Sequence, residues 1–164
     1  SALVVTVGVE DFPGQDVLAG VRFQRHWERA AWLAGGADWH APAQPLLEFL
    51  GRGGGTLDSS CCPHVVHAEL GSCLPKFVTT ELQRALPQFD RRMRGFVGPE
   101  AVLIGVETRT SAPVRILRDQ TGEAINLKGL FPAGEGAGYA GGIMSAALDG
   151  LKIAGTIIAQ TQIL

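Results

Sequence analysis

The sequence predicts a mixed fold of the α+β or α/β kind, on three observations. Residues 129–147 read as a short buried strand, a glycine-rich turn and the start of a helix. Two amphipathic helical patterns fill much of the first hundred residues, with apolar runs of strand length on either side. At 164 residues and 46% hydrophobic, the chain can bury one sizeable core with a smaller appended layer, giving one to two structural units.

In chain order, residues 3–9 (Leu-Val-Val-Thr-Val-Gly-Val) are rich in β-branched side chains and end in a turn signal at 10–14, which predicts a first strand. From Asp16 onward, Val17, Phe23, Trp27, Ala30 and Ala34 recur at helical spacing. Arg22, Arg25, His26 and Arg29 take another face, and Gly35-Gly36 closes the segment. The basic face reads as solvated surface and His26 as structural. A shorter helix is predicted over 43–50, with Leu46, Leu47 and Leu50 inward and Gly51 as its stop. Residues 51–56 (Gly-Arg-Gly-Gly-Gly-Thr) follow a helical stretch rather than a strand and read as a flexible loop.

Cys61, Cys62, His64, His67 and Cys73 place five candidate zinc ligands within thirteen residues. Adjacent cysteines replace the Cys-x-x-Cys turn that lets two thiolates converge on one metal. The preferred reading is a loop with reduced thiols and surface imidazoles and no metal site; a small zinc-binding interaction domain stays as an alternative. Three cysteines, two of them adjacent, do not make a secreted disulfide framework, so a cytoplasmic location is expected.

Thr79 or Thr80 caps the next predicted helix, in which Leu82, Leu86, Phe89 and Met93 share a face and Pro87 bends the axis or starts a new turn. Apolar runs at 101–106 and 114–117 predict two strands. The connection between them crowds Glu107, Thr108, Arg109, Thr110 and Ser111, donors suited to gripping a carboxylate, phosphate or cofactor edge. A structural ion pair of Glu107 with an arginine accounts for the same residues equally well. In the last helix Ile143, Met144, Ala147, Leu148, Leu151, Ala154 and Ile158 form an apolar face, expected to pack along a sheet. Ser145, Asp149, Lys152 and Thr156 lie opposite.

Residues 136–141 (Gly-Ala-Gly-Tyr-Ala-Gly) satisfy G-x-G-x-x-G between a predicted strand and helix, which suits a nucleotide cofactor. A first dinucleotide-binding unit needs a further strand ending in an acidic residue about 20 positions on. The sequence ends at Leu164, directly after the helix, so the unit is expected to close such a fold rather than open it. No Gly-Lys-Ser/Thr follows, which excludes a P-loop.

Residues 129–154, with 105–116 (Gly-Val-Glu-Thr-Arg-Thr-Ser-Ala-Pro-Val-Arg-Ile) upstream, resemble the C-terminal part of a family of predicted FAD-dependent dehydrogenases, and the first hundred residues resemble it more loosely. The resemblance implies the closing strand, turn and helix of an FAD-binding Rossmann-like domain over 101–164. Residues 1–100 would then be part of a substrate or cap region, mainly helical after the first strand. It implies that Gly134-Glu135 is the pair whose carboxylate holds the ribityl or pyrophosphate region, and that Gly136 and Gly138 shape the turn. Gly141, Gly142 and Ile143 would stand at the helix start by the flavin, whose hydride chemistry needs little acid–base machinery from the protein. Arg109, Thr110 and Ser111 become candidates for an anionic group of substrate or cofactor, with Arg115 and Arg118 secondary. Tyr139 either touches flavin or substrate or plugs the turn.

No nucleotide-binding unit appears in the first hundred residues, and the chain begins at Ser1. The expectation is a C-terminal fragment of an FAD-dependent oxidoreductase that lacks the adenosine half of its site and does not hold FAD alone. Its partners would be the missing N-terminal FAD-binding region, an unknown small-molecule substrate and, through uncovered apolar faces, other copies of itself. A noncatalytic nucleotide- or anion-binding module is the alternative. Net charge of −2 with scattered basic residues does not indicate nucleic acid or anionic membrane. Asp149 and Lys152 interrupt the longest apolar run, so no spanning helix is expected.

Overall fold

The structure, a computed structural model, describes residues 1–161. It is mixed α+β: among the described residues it holds one three-stranded sheet and four α-helices. In chain order these are α1 (Ala19–Ala34), β1 (Ala41–Pro45), α2 (Leu46–Phe49), β2 (Val65–His67), α3 (Lys76–Arg92), β3 (Val102–Ile104) and α4 (Ile143–Thr161). Two compact units divide the chain, one of Ser1–Asp11 with Phe23–Thr108, the other of Phe12–Arg22 with the residues from Arg109 onward. The last three residues of the predicted segment 101–164 lie outside the described residues.

The first unit is built on the sheet, in the order β2-β1-β3. β1 runs parallel to β2, with Ala43 opposite His67, and antiparallel to β3, with Gln44 opposite Leu103. A central strand reading Ala-Pro-Ala-Gln-Pro is unusual, because proline donates nothing to a ladder. Here Pro42 serves through its carbonyl, which accepts from Gly105 N–H at 3.0 Å. At the ends of the ladder with β2, Ala41 N–H donates to His64 O and Ala43 O accepts from Ala68 N–H. Where the sequence predicts one helix over 43–50, strand and helix meet at Pro45, and α2 turns Leu46 and Phe49 into the core.

That core joins Ala31 of α1, Leu46, Phe49, Leu70, Cys73 and Leu86 of α3, all buried. One polar side chain is buried with them. Gln44 accepts from Leu70 N–H at 3.1 Å and donates to Glu48 at 3.2 Å, so its amide is used on both sides. The helix predicted to start at Thr79 or Thr80 starts at Lys76. Both threonines sit inside it, and their hydroxyls donate back to the carbonyls of Pro75 and Lys76 instead of capping. α3 continues through Pro87 to Arg92. Beyond it, the Asp90 carboxylate collects the amides of Gly95 and Val97.

The strand predicted over 3–9 does not form. Among the described residues the run pairs with no strand; Leu3 packs against the core, Val4 and Val9 are exposed, and a 3-10 turn covers Val9–Asp11.

In the second unit neither predicted strand, over 114–117 or before the glycine turn, is present as one. A single antiparallel bridge links Arg118 to Ala124 around a turn whose amides, those of Thr121 and Glu123, converge on the Asp119 carboxylate. The helix is present as predicted, but its orientation is not. Ile143, Met144, Leu148, Leu151 and Ile158 are exposed, whereas Ile153 is buried and Asp149 points inward. A largely buried ion pair of Asp149 with Arg118 turns that side of the helix toward its own unit.

Candidate functional site

Residues 132–142 fold back on themselves without a strand. Gly134, at φ +71°, accepts through its carbonyl from Tyr139 N–H at 3.0 Å, and Glu135 O accepts from Gly138 N–H at 2.9 Å. Glycine is required at 138: φ is +83°, and a Cβ there would stand 2.4 Å from Val114 O. Ala137 is buried, and its carbonyl accepts from Ile116 N–H at 3.1 Å.

Tyr139 is anchored at the end of the turn and partly buried. Its hydroxyl donates to Ile116 O at 3.1 Å and accepts from Arg118 N–H at 3.2 Å. The Arg118 guanidinium lies 3.6 Å from the ring centroid, and that of Arg115 lies 5.1 Å away. Arg115 Nε also donates to Gly138 O at 2.9 Å.

Beneath the turn, Arg118 and Asp149 form a two-pronged ion pair at 2.9 and 2.6 Å, with side chains only 12% and 13% exposed. Each partner also grips the backbone of the turn: Arg118 donates to Pro132 O at 2.7 Å, and Asp149 accepts from Gly134 N–H at 2.8 Å. Donation from Arg118, then from Gly134 N–H, holds the Asp149 carboxyl down to about 2. The same contact raises the Arg118 guanidinium.

The turn delivers the chain to the start of α4. The first helical bond there runs from Ala146 N–H to Gly142 O, and the Ser145 hydroxyl donates to the same carbonyl. The amides of Ile143, Met144 and Ser145 precede any acceptor within the helix, as in every first turn, and lie at its positive end. A Cβ built at Gly136 or Gly141 meets nothing within 4 Å, so the backbone is open to approach at both. Beside Gly141 is a shallow cleft of about 370 Å3, bordered by Ser111, Arg115, Gly138, Tyr139 and Gly141.

The predicted residues are thus placed as follows. Gly134, Glu135, Gly136, Gly138, Gly141, Gly142 and Ile143 stand in one continuous turn and helix start, with Glu135 half-buried. Ser111 and Tyr139 border the cleft; Arg109 and Thr110 are exposed and do not. Next to Arg109, Thr108 is held by Glu28, whose carboxylate accepts from its hydroxyl at 2.8 Å, and by Gln24, which donates to its carbonyl. Asp149 was expected on the solvent side of its helix. The signal that marks it is an acidic residue in a stretch otherwise apolar enough to hide it.

The cysteine and histidine residues are dispersed. Cys73 is buried in the core of the first unit, where desolvation raises its thiol, while Cys62 is exposed. His64 stacks on His40, and His67 pairs with Glu48 at 3.0 Å, lowering that carboxyl. Among the described residues, no three His, Cys, Asp or Glu side chains are grouped to hold a metal ion. No described helix is long and apolar enough to cross a membrane.

An uncharacterized protein of Clostridium beijerinckii (strain ATCC 51743 / NCIMB 8052) is 46% identical over 162 residues, covering 96% of this chain and 30% of the relative. The chain therefore spans less than a third of the length of that relative. Residues 1–110 match the model of a family described as FAD-dependent protein, C-terminal domain-like. With that match over most of its length, the chain belongs to the FAD-dependent protein, C-terminal domain-like family.

Proposed function

We propose that this chain is the C-terminal part of a longer FAD-dependent oxidoreductase, a dehydrogenase, and supplies the ribityl and flavin side of the cofactor site. The observation that carries the reading is the glycine turn entering the first turn of α4, open at Gly136 and Gly141, in a member of an FAD-dependent family. The fit is good on two counts. Backbone amides at the helix start have no partner within the helix, and a Cβ built at Gly141 meets nothing within 4 Å, so a planar ring can approach the backbone there.

In this reading the Glu135 carboxylate accepts from ribityl hydroxyls, and Gly136, Gly138 and Gly142 keep the backbone close. The Ile143 amide and the positive end of α4 face the pyrimidine edge, where they favour negative charge. FAD, when bound, supplies the hydride chemistry, and the protein positions it. A small-molecule substrate enters by the cleft, meeting Ser111 and Arg115 at its border, with Arg109 and Thr110 further out on the same connection. Tyr139, held by two guanidiniums and two backbone groups, acts as the plug of the turn rather than as a contact to flavin.

The exposed apolar face of α4 is the surface on which the rest of a Rossmann-like FAD domain would pack, in the part of the polypeptide that this chain does not include. In isolation that face makes copies of the chain associate. A cytoplasmic location, with neither nucleic acid nor membrane as partner, belongs to the same proposal.

The test is an absorbance spectrum of the full-length protein beside that of this chain, both purified alike. Flavin bands in the full-length protein alone are expected. Their absence even after reconstitution with FAD would overturn the oxidoreductase reading and leave the nucleotide- or anion-binding module.

A further inference from the structure

The turn that carries the candidate cofactor residues is bonded at its entry by two side chains. Arg118 and Asp149 lie 31 residues apart in sequence and meet beneath Gly134. Asp149 is six residues into α4, roughly 9 Å along the axis from Ile143. It shares a helix face with Ala146 and Gly142, the spacing being three and seven. Gly134 rests on that face: a Cβ built there would stand 3.7 Å from the Ala146 Cβ.

Burying two charges is a poor route to stability alone, since apolar side chains of similar volume do as well or better. What the pair does that apolar residues cannot is bond to particular backbone atoms. Its donors and acceptors take Pro132 O and Gly134 N–H, the positions just before Glu135, and the Arg118 guanidinium covers the ring of Tyr139, which ends the turn. The turn is therefore pinned to α4 at its entry and packed at its exit, leaving Gly136 between them exposed.

We propose that Arg118 and Asp149 are the positioning pair of the cofactor site, fixing where Glu135 and the open glycines stand relative to the first-turn amides of α4. The proposal rests on the FAD reading above. The pair contacts no ligand; it sets the registry of groups that do, and an error of about 1 Å in such registry can cost a hundredfold.

The experiment uses the full-length protein and its Arg118→Lys, Asp149→Asn and Asp149→Ala variants. FAD affinity, affinity for ADP as a probe of the adenosine half, and thermal unfolding are measured on each. Asp149→Ala is expected to weaken FAD by about tenfold or more while ADP binding is unchanged, with Asp149→Asn between, because its amide oxygen still accepts from Gly134 N–H. A shifted flavin spectrum in FAD-saturated Arg118→Lys is also expected, a change that simple loss of stability does not produce. FAD affinity unchanged in all three variants would overturn the proposal, as would FAD and ADP weakening together in step with the melting temperature. If the unmodified protein binds no FAD, the FAD reading itself fails. Hydrogen exchange then decides the pair: loss of protection at the Gly134 and Tyr139 amides in Asp149→Ala, with the last turns of α4 unchanged, supports turn-fixing, and unchanged protection refutes it.

Discussion

Gly138 and Gly141 stand three residues apart in one turn and place opposite demands on a side chain. At Gly138 a methyl group meets Val114 O at 2.4 Å in a backbone conformation that L residues avoid. Gly138→Ala should therefore destabilise the second unit by about 1–3 kcal/mol, read as a lower denaturant midpoint. At Gly141 a methyl group projects into open space. Gly141→Val should leave the midpoint nearly unchanged and remove flavin from the full-length protein; unaltered flavin content would count against the site. Asp149 gives a pH signature. Its carboxyl is held at about 2 against an ordinary 3.8, so its contribution is full above the ordinary value and fades as the pH falls from near 4 through about 2. The stability difference between the unmodified protein and Asp149→Asn should shrink over that acid window and stay flat from pH 5 to 8. A difference that varied near neutrality would mean that another group is titrating.

Among the elements, those with an internal periodicity were readable and those defined by a distant partner were not. α1 announces itself through Phe23, Trp27, Ala30 and Ala34 and its closing glycines, and α3 through Leu82, Leu86 and Phe89. Leu86 is fully buried, and Leu86→Ala should cost about 2–5 kcal/mol in chemical denaturation. β1 was hidden because its two prolines argue against a strand, yet it pairs on both sides, with β2 and with β3. The run at 3–9 shows the converse: β-branched residues make a strand only where a neighbour exists to pair with. α4 was visible as a helix, but the side that meets its own unit was not, since hydrophobicity alone marks its apolar stripe as the packed side. The glycine turn was legible residue by residue, whereas the ion pair beneath it depends on a contact across 31 positions that no local pattern encodes. The exposed stripe carries its own prediction. Replacing Met144, Leu148 and Leu151 together by Gln should lower the mass of this chain in sedimentation at high concentration, and a chain already monomeric before substitution would refute it.

At the scale of the whole molecule, the family match covers residues 1–110 and the candidate cofactor turn lies beyond it. The two findings therefore support the FAD reading from different stretches of chain. The division into two units also has an optical consequence. All three tryptophans, Trp27, Trp32 and Trp39, fall within Phe23–Thr108, and the single tyrosine, Tyr139, falls in the other unit. Indole emission excited beyond the tyrosine band thus reports on one unit alone, and the phenol band of Tyr139, resolved from the indoles by second-derivative absorbance, reports on the other. Heated together, the two chromophores act as separate thermometers: superimposed curves mean that the units melt as one cooperative body, and parted curves assign each unit its own melting point without labelling either.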